Sequence, residues 1–92
     1  MAMKYSKEEL IKKLTEMLED ELEGIIEYDC VYNSMIDAGL MMEAREIEEI
    51  ASEEYTHVRA IWRMLKNHGV DFAHHPKINE HWDKVKEIFD LE

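Results

Sequence analysis

Glu54 and His57 stand three positions apart in the stretch SEEYTH, Ser52 to His57. The surrounding run, IEEIASEEYTHVRAIWRML, is patterned as an amphipathic helix whose apolar stripe is Ile47, Ile50, Ala51, Val58, Ile61 and Leu65. Followed from Ala51, that stripe passes through Glu54, then His57 and Val58, then Ile61, so a carboxylate and an imidazole fall where apolar residues are expected. At i and i+3 of a helix the two side chains face the same way, with Cα atoms ~4.5 Å apart along the axis, and can hold one metal ion together. A third polar residue interrupts an apolar stripe upstream, where the step of four from Met17 reaches Glu21, followed by Gly24 and Tyr28. A lone buried carboxylate is unfavourable, so each of these should be paired or metal-bound.

Two long helices must carry these groups. Ser6 and Glu9 have capping-box spacing and open a first helix, expected over 6–38, with Gly39 just past its end. Its apolar or small positions are Leu10, Leu14, Met17, Gly24, Ile25, Tyr28, Tyr32 and Met35, widened by Ile11, Leu18, Leu22 and Ile36. A second helix is expected over 41–68, with Arg63, Lys66 and His68 favourable at its C-terminal end and Gly69 closing it. VDFAHHPKIN reads as a linker packed through Phe72, and a third helix, about 79–91, presents Trp82, Val85, Ile88 and Phe89. The short connection at Gly39 makes the long helices antiparallel neighbours. Glu21 lies 18 residues before Gly39 and Glu54 to His57 lie 15 to 18 after it, so the polar groups arrive at one height. The fold class is therefore all-α, a single domain over 1–92. The apolar stripes are wider than one helix seam can cover, so two hairpins are expected to pair as a homodimeric four-helix bundle. Trp62 and Trp82 read as packing anchors, with the terminal helix available to an oligomer interface.

Composition narrows the chemistry. The net charge of −11 argues against nucleic acid, whose phosphates would repel the chain, and favours cations, basic partners or plain solubility. One cysteine rules out an internal disulfide framework and a Cys-rich zinc site. No apolar run approaches the ~20 residues of a membrane span, and MAMKYSKEEL holds no apolar signal core.

Two-fold pairing would double Glu21, Glu54 and His57 to four Glu and two His. That is the donor set of a di-metal carboxylate bundle, and oxygen with imidazole nitrogen suits Fe or Mn better than a thiolate-seeking metal. ELEGIIEYD, Glu21 to Asp29, followed by EEYTH, Glu53 to His57, resembles the ferritin-like superfamily in its half-bundle form, as in encapsulated ferritins and rubrerythrin-like proteins. In those families the first-helix Glu is followed seven residues on by a Tyr, here Tyr28, and the likeness spans about Ser6 to Gly69. It implies Glu21, Glu54 and His57 as metal ligands, with Glu54 or its dimer mate bridging two irons. Tyr28 would stand beside the ligands as a fourth site residue, and Asp20 and Glu23 would line an entrance for metal. It implies a ferroxidase that oxidises Fe(II) with O₂ or H₂O₂ for iron storage or detoxification, at a di-iron site that Mn or Zn can also fill. The same resemblance implies at least a homodimer, a ring-like higher assembly, a cytoplasmic location and, for some relatives, an encapsulin shell. The chain departs from the pattern in having a single Glu-x-x-His, so a complete site needs another subunit. It also lacks a rubredoxin-like Cys-x-x-Cys and a recognisable encapsulin-targeting tail.

Other readings compete with these. Glu54 and His57 could be a salt-bridged surface pair, and the chain a metal-free acidic helical module for a basic partner; a rubrerythrin-like peroxidase is the third. Asp20, Glu23, Glu27, Glu49 and Glu53 read first as a solvated acidic face that concentrates cations. Asp29 is either solvated or orients His57 through its second ring nitrogen. Met35, Met41, Met42 and Met64 read as core or interface filler, and Cys30 as an inert small residue near the interface. His74, His75 and His81 form a second imidazole group that Zn or Ni could use.

Overall fold

A computed structural model describes residues 4–90. Among them the chain is all-helical: α1 (Lys7–Asp37), α2 (Met41–Asn67), a 3₁₀ turn over Phe72–His74 and α3 (Pro76–Ile88). The capping box forms in full, with Ser6 Oγ accepting from the Glu9 amide and Glu9 Oε1 accepting from the Ser6 amide, both at 3.1 Å. α1 and α2 both stop where glycine is needed, because Gly39 and Gly69 adopt φ of +77°, which strains any side chain. Between α1 and α2 the three-residue reversal Ala38–Gly39–Leu40 folds α2 back along α1.

The third helix begins earlier than the expected 79. Pro76 is its first residue, a position where the missing N–H would have had no helical partner and the fixed φ already suits the helix. What read as linker is thus partly helix. Asp71 caps the preceding 3₁₀ turn through the Ala73 amide at 2.9 Å, and Asn79 donates to the Phe72 carbonyl at 2.7 Å. Position 91 lies outside the described residues.

The core is a single cluster. Leu18, Leu22 and Ile25 of α1 meet Val58, Ile61 and Leu65 of α2, and Phe72, Ile78 and Val85 close it from the third side. The terminal helix therefore spends its most buried residues, Ile78 and Val85, on its own hairpin. Aromatic rings stack along its flank: Trp62 lies 4.2 Å from Phe72 and 4.9 Å from Trp82, centroid to centroid.

Each long helix has a second apolar line that this core uses only at Leu14 and Ile61. On α1 it runs Leu10, Leu14, Met17, Glu21, Gly24, Tyr28, Val31, Met35, and on α2 it runs Ile47, Ile50, Glu54, His57, Ile61, Met64. The steps alternate four and three, as in a seam between packed helices. Leu10, Met17, Val31, Ile50 and Met64 are all exposed, although Leu10, Met17 and Ile50 were expected on the buried stripe. One helix pair can bury only one line per helix, and the line through Leu22 and Val58, which α3 also covers, is the one buried. Shape agrees: the chain measures 48 × 36 × 16 Å, and the short dimension is little more than the ~10–12 Å width of one helix. Its radius of gyration, 15.4 Å, exceeds the ~12 Å of a compact domain of this length. No helix among the described residues is long and apolar enough to cross a membrane.

Candidate metal centre

Glu21 sits at the mid-height of α1, one turn from Leu18 and next to Leu22, where the buried line gives way to the exposed one. Glu54 and His57 occupy the matching edge of α2. The antiparallel hairpin brings the three together, with one carboxylate or imidazole donor atom from each within 4.8 Å of the others. Among the described residues no other group of His, Cys, Asp and Glu gathers three donors in this way. Donors around a common ion at ~2.1 Å lie up to ~4.2 Å apart, so the set closes on an ion with small side-chain movements.

The centre is graded in exposure. Glu21 Oε2 is buried and has no hydrogen-bond partner. The Glu54 side chain is 27% exposed and that of His57 is 60% exposed, with His57 Nδ1 3.7 Å from Glu54 Oε2. His57 was expected on a buried stripe; in the single chain it lies open on the second line, because that line has no cover.

The triad is not satisfied within itself. Two carboxylates cannot donate to one another, and the imidazole is too far from Glu54 for a hydrogen bond. Protonation is the chain's own remedy. A proton on Glu21 shared with Glu54 is the largest cause raising its carboxyl to about 7; burial and the charges of Glu54 and Asp20 add to this, and His57 opposes it. Against an ordinary value of 4.5, the folded chain holds a proton between about 4.5 and 7 that the unfolded chain has released. Stability of the metal-free protein is thus expected to rise as pH falls through 7 towards 4.5, and to lose that gain as pH rises through 7. Metal capture needs the carboxylate, so affinity moves the opposite way, falling by up to ~tenfold per pH unit below 7 for each Glu21 that must give up its proton. Thermal melts with chelator and calorimetric Mn(II) titrations at pH 5.5 and 8 test both slopes. A Glu21→Gln variant that kept both would refute the assignment.

The remaining candidates are placed less closely. Tyr28 is half-buried two turns along α1, on a groove of about 310 Å³ shared with Tyr32, Ala51 and Phe89, and makes no hydrogen bond to the triad. Asp29 accepts from Asn33 at 3.4 Å rather than holding His57. Asp20 is exposed beside the triad, whereas Glu23 accepts from His81 Nε2 at 3.2 Å and ties α1 to α3. That contact, which no local spacing signals, gives His81 a partner away from His74 and His75. His75 instead packs edge-on to Phe72 at 6.2 Å, so the three histidines do not form a metal cluster. Cys30 is exposed.

No protein-family model, characterised protein or solved structure matches this chain. What it can do therefore rests on its own geometry.

Proposed function

We propose that two copies of this chain pair through their open faces to form a di-metal carboxylate centre that oxidises Fe(II) to Fe(III), as a ferroxidase serving iron storage or detoxification. The observation that carries this reading is the convergence of Glu21, Glu54 and His57 with a buried carboxylate oxygen that has no hydrogen-bond partner among the described residues. A divalent cation satisfies such a set, and oxygen-rich donors with one imidazole fit Fe or Mn, with Zn as a substitute. A self-contained polar network fits less well, because Glu21 Oε2 has no hydrogen-bond partner among the described residues and His57 lies beyond hydrogen-bond distance of Glu54.

Pairing is supported by what the single chain leaves uncovered. It exposes 6977 Å², whereas a compact monomer of 11.0 kDa exposes about 5,600 Å². The excess is on the scale that one protomer buries in a stable dimer, ~800 Å² or more. The exposed Leu10, Met17, Val31, Ile50 and Met64 lie on the same lines as the triad. Gly24, one turn beyond Glu21, sits in mid-helix with nothing within 4 Å of the place its Cβ would take. A glycine there costs about 1 kcal/mol relative to alanine and gains nothing inside the chain, but a second helix could approach closely over it. Two-fold pairing supplies four Glu and two His around two ions.

Fe(II) enters as substrate, and two of them give one electron each to O₂, which takes two protons and leaves as H₂O₂, or to H₂O₂, which takes two protons and leaves as two waters. Glu21 gives up its proton as iron binds, and Glu54 and His57 hold the ion from the facing helix. The paired apolar lines exclude water around the centre. Asp20 and the acidic face raise the local concentration of cations. The test is elemental analysis after loading and desalting, with Fe(II) oxidation followed under O₂ and under H₂O₂. Two irons per dimer and turnover with O₂ are expected. Turnover with H₂O₂ alone would make the protein a rubrerythrin-like peroxidase, and a folded oligomer that retains no Fe, Mn or Zn would defeat the proposal.

A further inference from the structure

The face of α2 turned away from the triad has the opposite charge character. Arg59, Arg63 and Lys66 follow one another at i, i+4 and i+7, a row spanning ~10.5 Å along the helix. Lys86 of α3 faces them across a groove of about 540 Å³. Four of the chain's 11 lysines and arginines thus line one groove, in a protein of net charge −11, and among the described residues no carboxylate lines it. The only ion pair any of the four makes with a described carboxylate is Lys86 with the exposed Asp83, at 3.7 Å.

The remainder of the lining is aromatic. Tyr55, Trp62 and Trp82 are half-buried and stacked, Tyr55 on Trp82 at 6.1 Å and Trp62 on Trp82 at 4.9 Å. The Arg59 guanidinium lies 6.0 Å from the Tyr55 ring and the Lys66 ammonium 5.8 Å from the Phe72 ring. Rings at this distance hold cations in place, so less ordering remains to be done when a ligand arrives.

We propose that this groove docks an extended acidic segment of a partner protein, with carboxylates on the Arg59–Arg63–Lys66 row and Lys86, and an aromatic or aliphatic side chain on Trp62 and Trp82. The row decides for a chain rather than a compact anion: cations that hold a phosphate converge on one point, whereas these are strung along a line. Carboxylates on one side of an extended peptide recur every ~6.8 Å, so two or three of them fit the row. A long polyanion such as nucleic acid would engage the groove but meet the acidic remainder of the surface. The groove is on the other side of α2 from His57, so the inference stands whether or not the metal centre does.

The probe is a fluorescein-labelled ten-residue peptide of alternating Glu and Tyr, read by anisotropy at low salt, beside its Gln-for-Glu twin. Saturable binding of the Glu peptide is expected, with affinity at least tenfold weaker for the Gln peptide and for an Arg63→Glu/Lys66→Glu variant, and falling as salt rises. Both substitutions are at exposed helix positions, so circular dichroism should be unchanged; Arg63→Gln/Lys66→Gln supplies a milder variant expected to fall between. Equal binding by wild type and the charge-reversed variant would overturn the proposal. So would displacement of the peptide by equimolar inorganic phosphate or oligothymidylate, or its inability to bind because a second copy of the chain already fills the groove in solution.

Discussion

Replacing Glu54 or His57 with alanine is expected to lower the initial rate of aerobic Fe(II) oxidation by about 100-fold or more. Changing a residue that merely supports a metal ligand typically costs 10–100-fold in affinity or activity, so removal of a ligand should reach at least the upper end. In a two-fold pair each substitution strikes twice and takes two of the six donors. The loss should not come from unfolding. Neither side chain belongs to the core around Leu22 and Val58, and alanine favours helix more than histidine does. Helical circular dichroism should therefore hold while the growth of Fe(III) absorbance nearly stops. If either variant oxidises iron as fast as wild type, the residues are a surface pair and nothing more.

The second large effect should come from residues that touch no metal. Val31 and Met64 lie at opposite ends of the second apolar lines, about 15 Å along α1 from Glu21 and about 10 Å along α2 from His57. Both are already exposed in the single chain, so Val31→Glu/Met64→Glu should leave the hairpin folded. In a paired bundle the same carboxylates would be buried without partners, at about 3 kcal/mol or more, which weakens association over 100-fold. Sedimentation should show monomer at concentrations where wild type is a dimer, and oxidation should fall to the level of the ligand variants. A monomeric variant that keeps its rate would mean that one chain suffices.

Much of this arrangement was legible in the residues because its causes are local. Ser6 and Glu9 fix the start of α1, and Gly39 and Gly69 fix two ends by a backbone conformation that side chains resist. The shared height of Glu21, Glu54 and His57 follows once α2 must fold back at Gly39. Periodicity alone could not choose between two adjacent apolar lines on each helix. That choice is made by where α3 lies, which is why Leu10, Met17 and Ile50 are open when burial was expected. Pro76 misleads in the other direction, since proline stops a helix from within but suits its first position. The Glu23–His81 contact joins residues 58 positions apart and leaves no trace in local spacing. The basic groove did leave one, in the i, i+4, i+7 placement of Arg59, Arg63 and Lys66, but the surplus of acidic residues hides it in the net charge.

The central claim is that the metal centre belongs to the interface between two chains. Its most direct test is anomalous diffraction from crystals soaked in Mn(II). Two peaks related by a molecular two-fold axis are predicted, lying between the hairpins within bonding distance of Glu21, Glu54 and His57 and drawing ligands from both chains. A fully occupied peak held by one chain's triad alone, or a peak elsewhere with none at the triad, would contradict it.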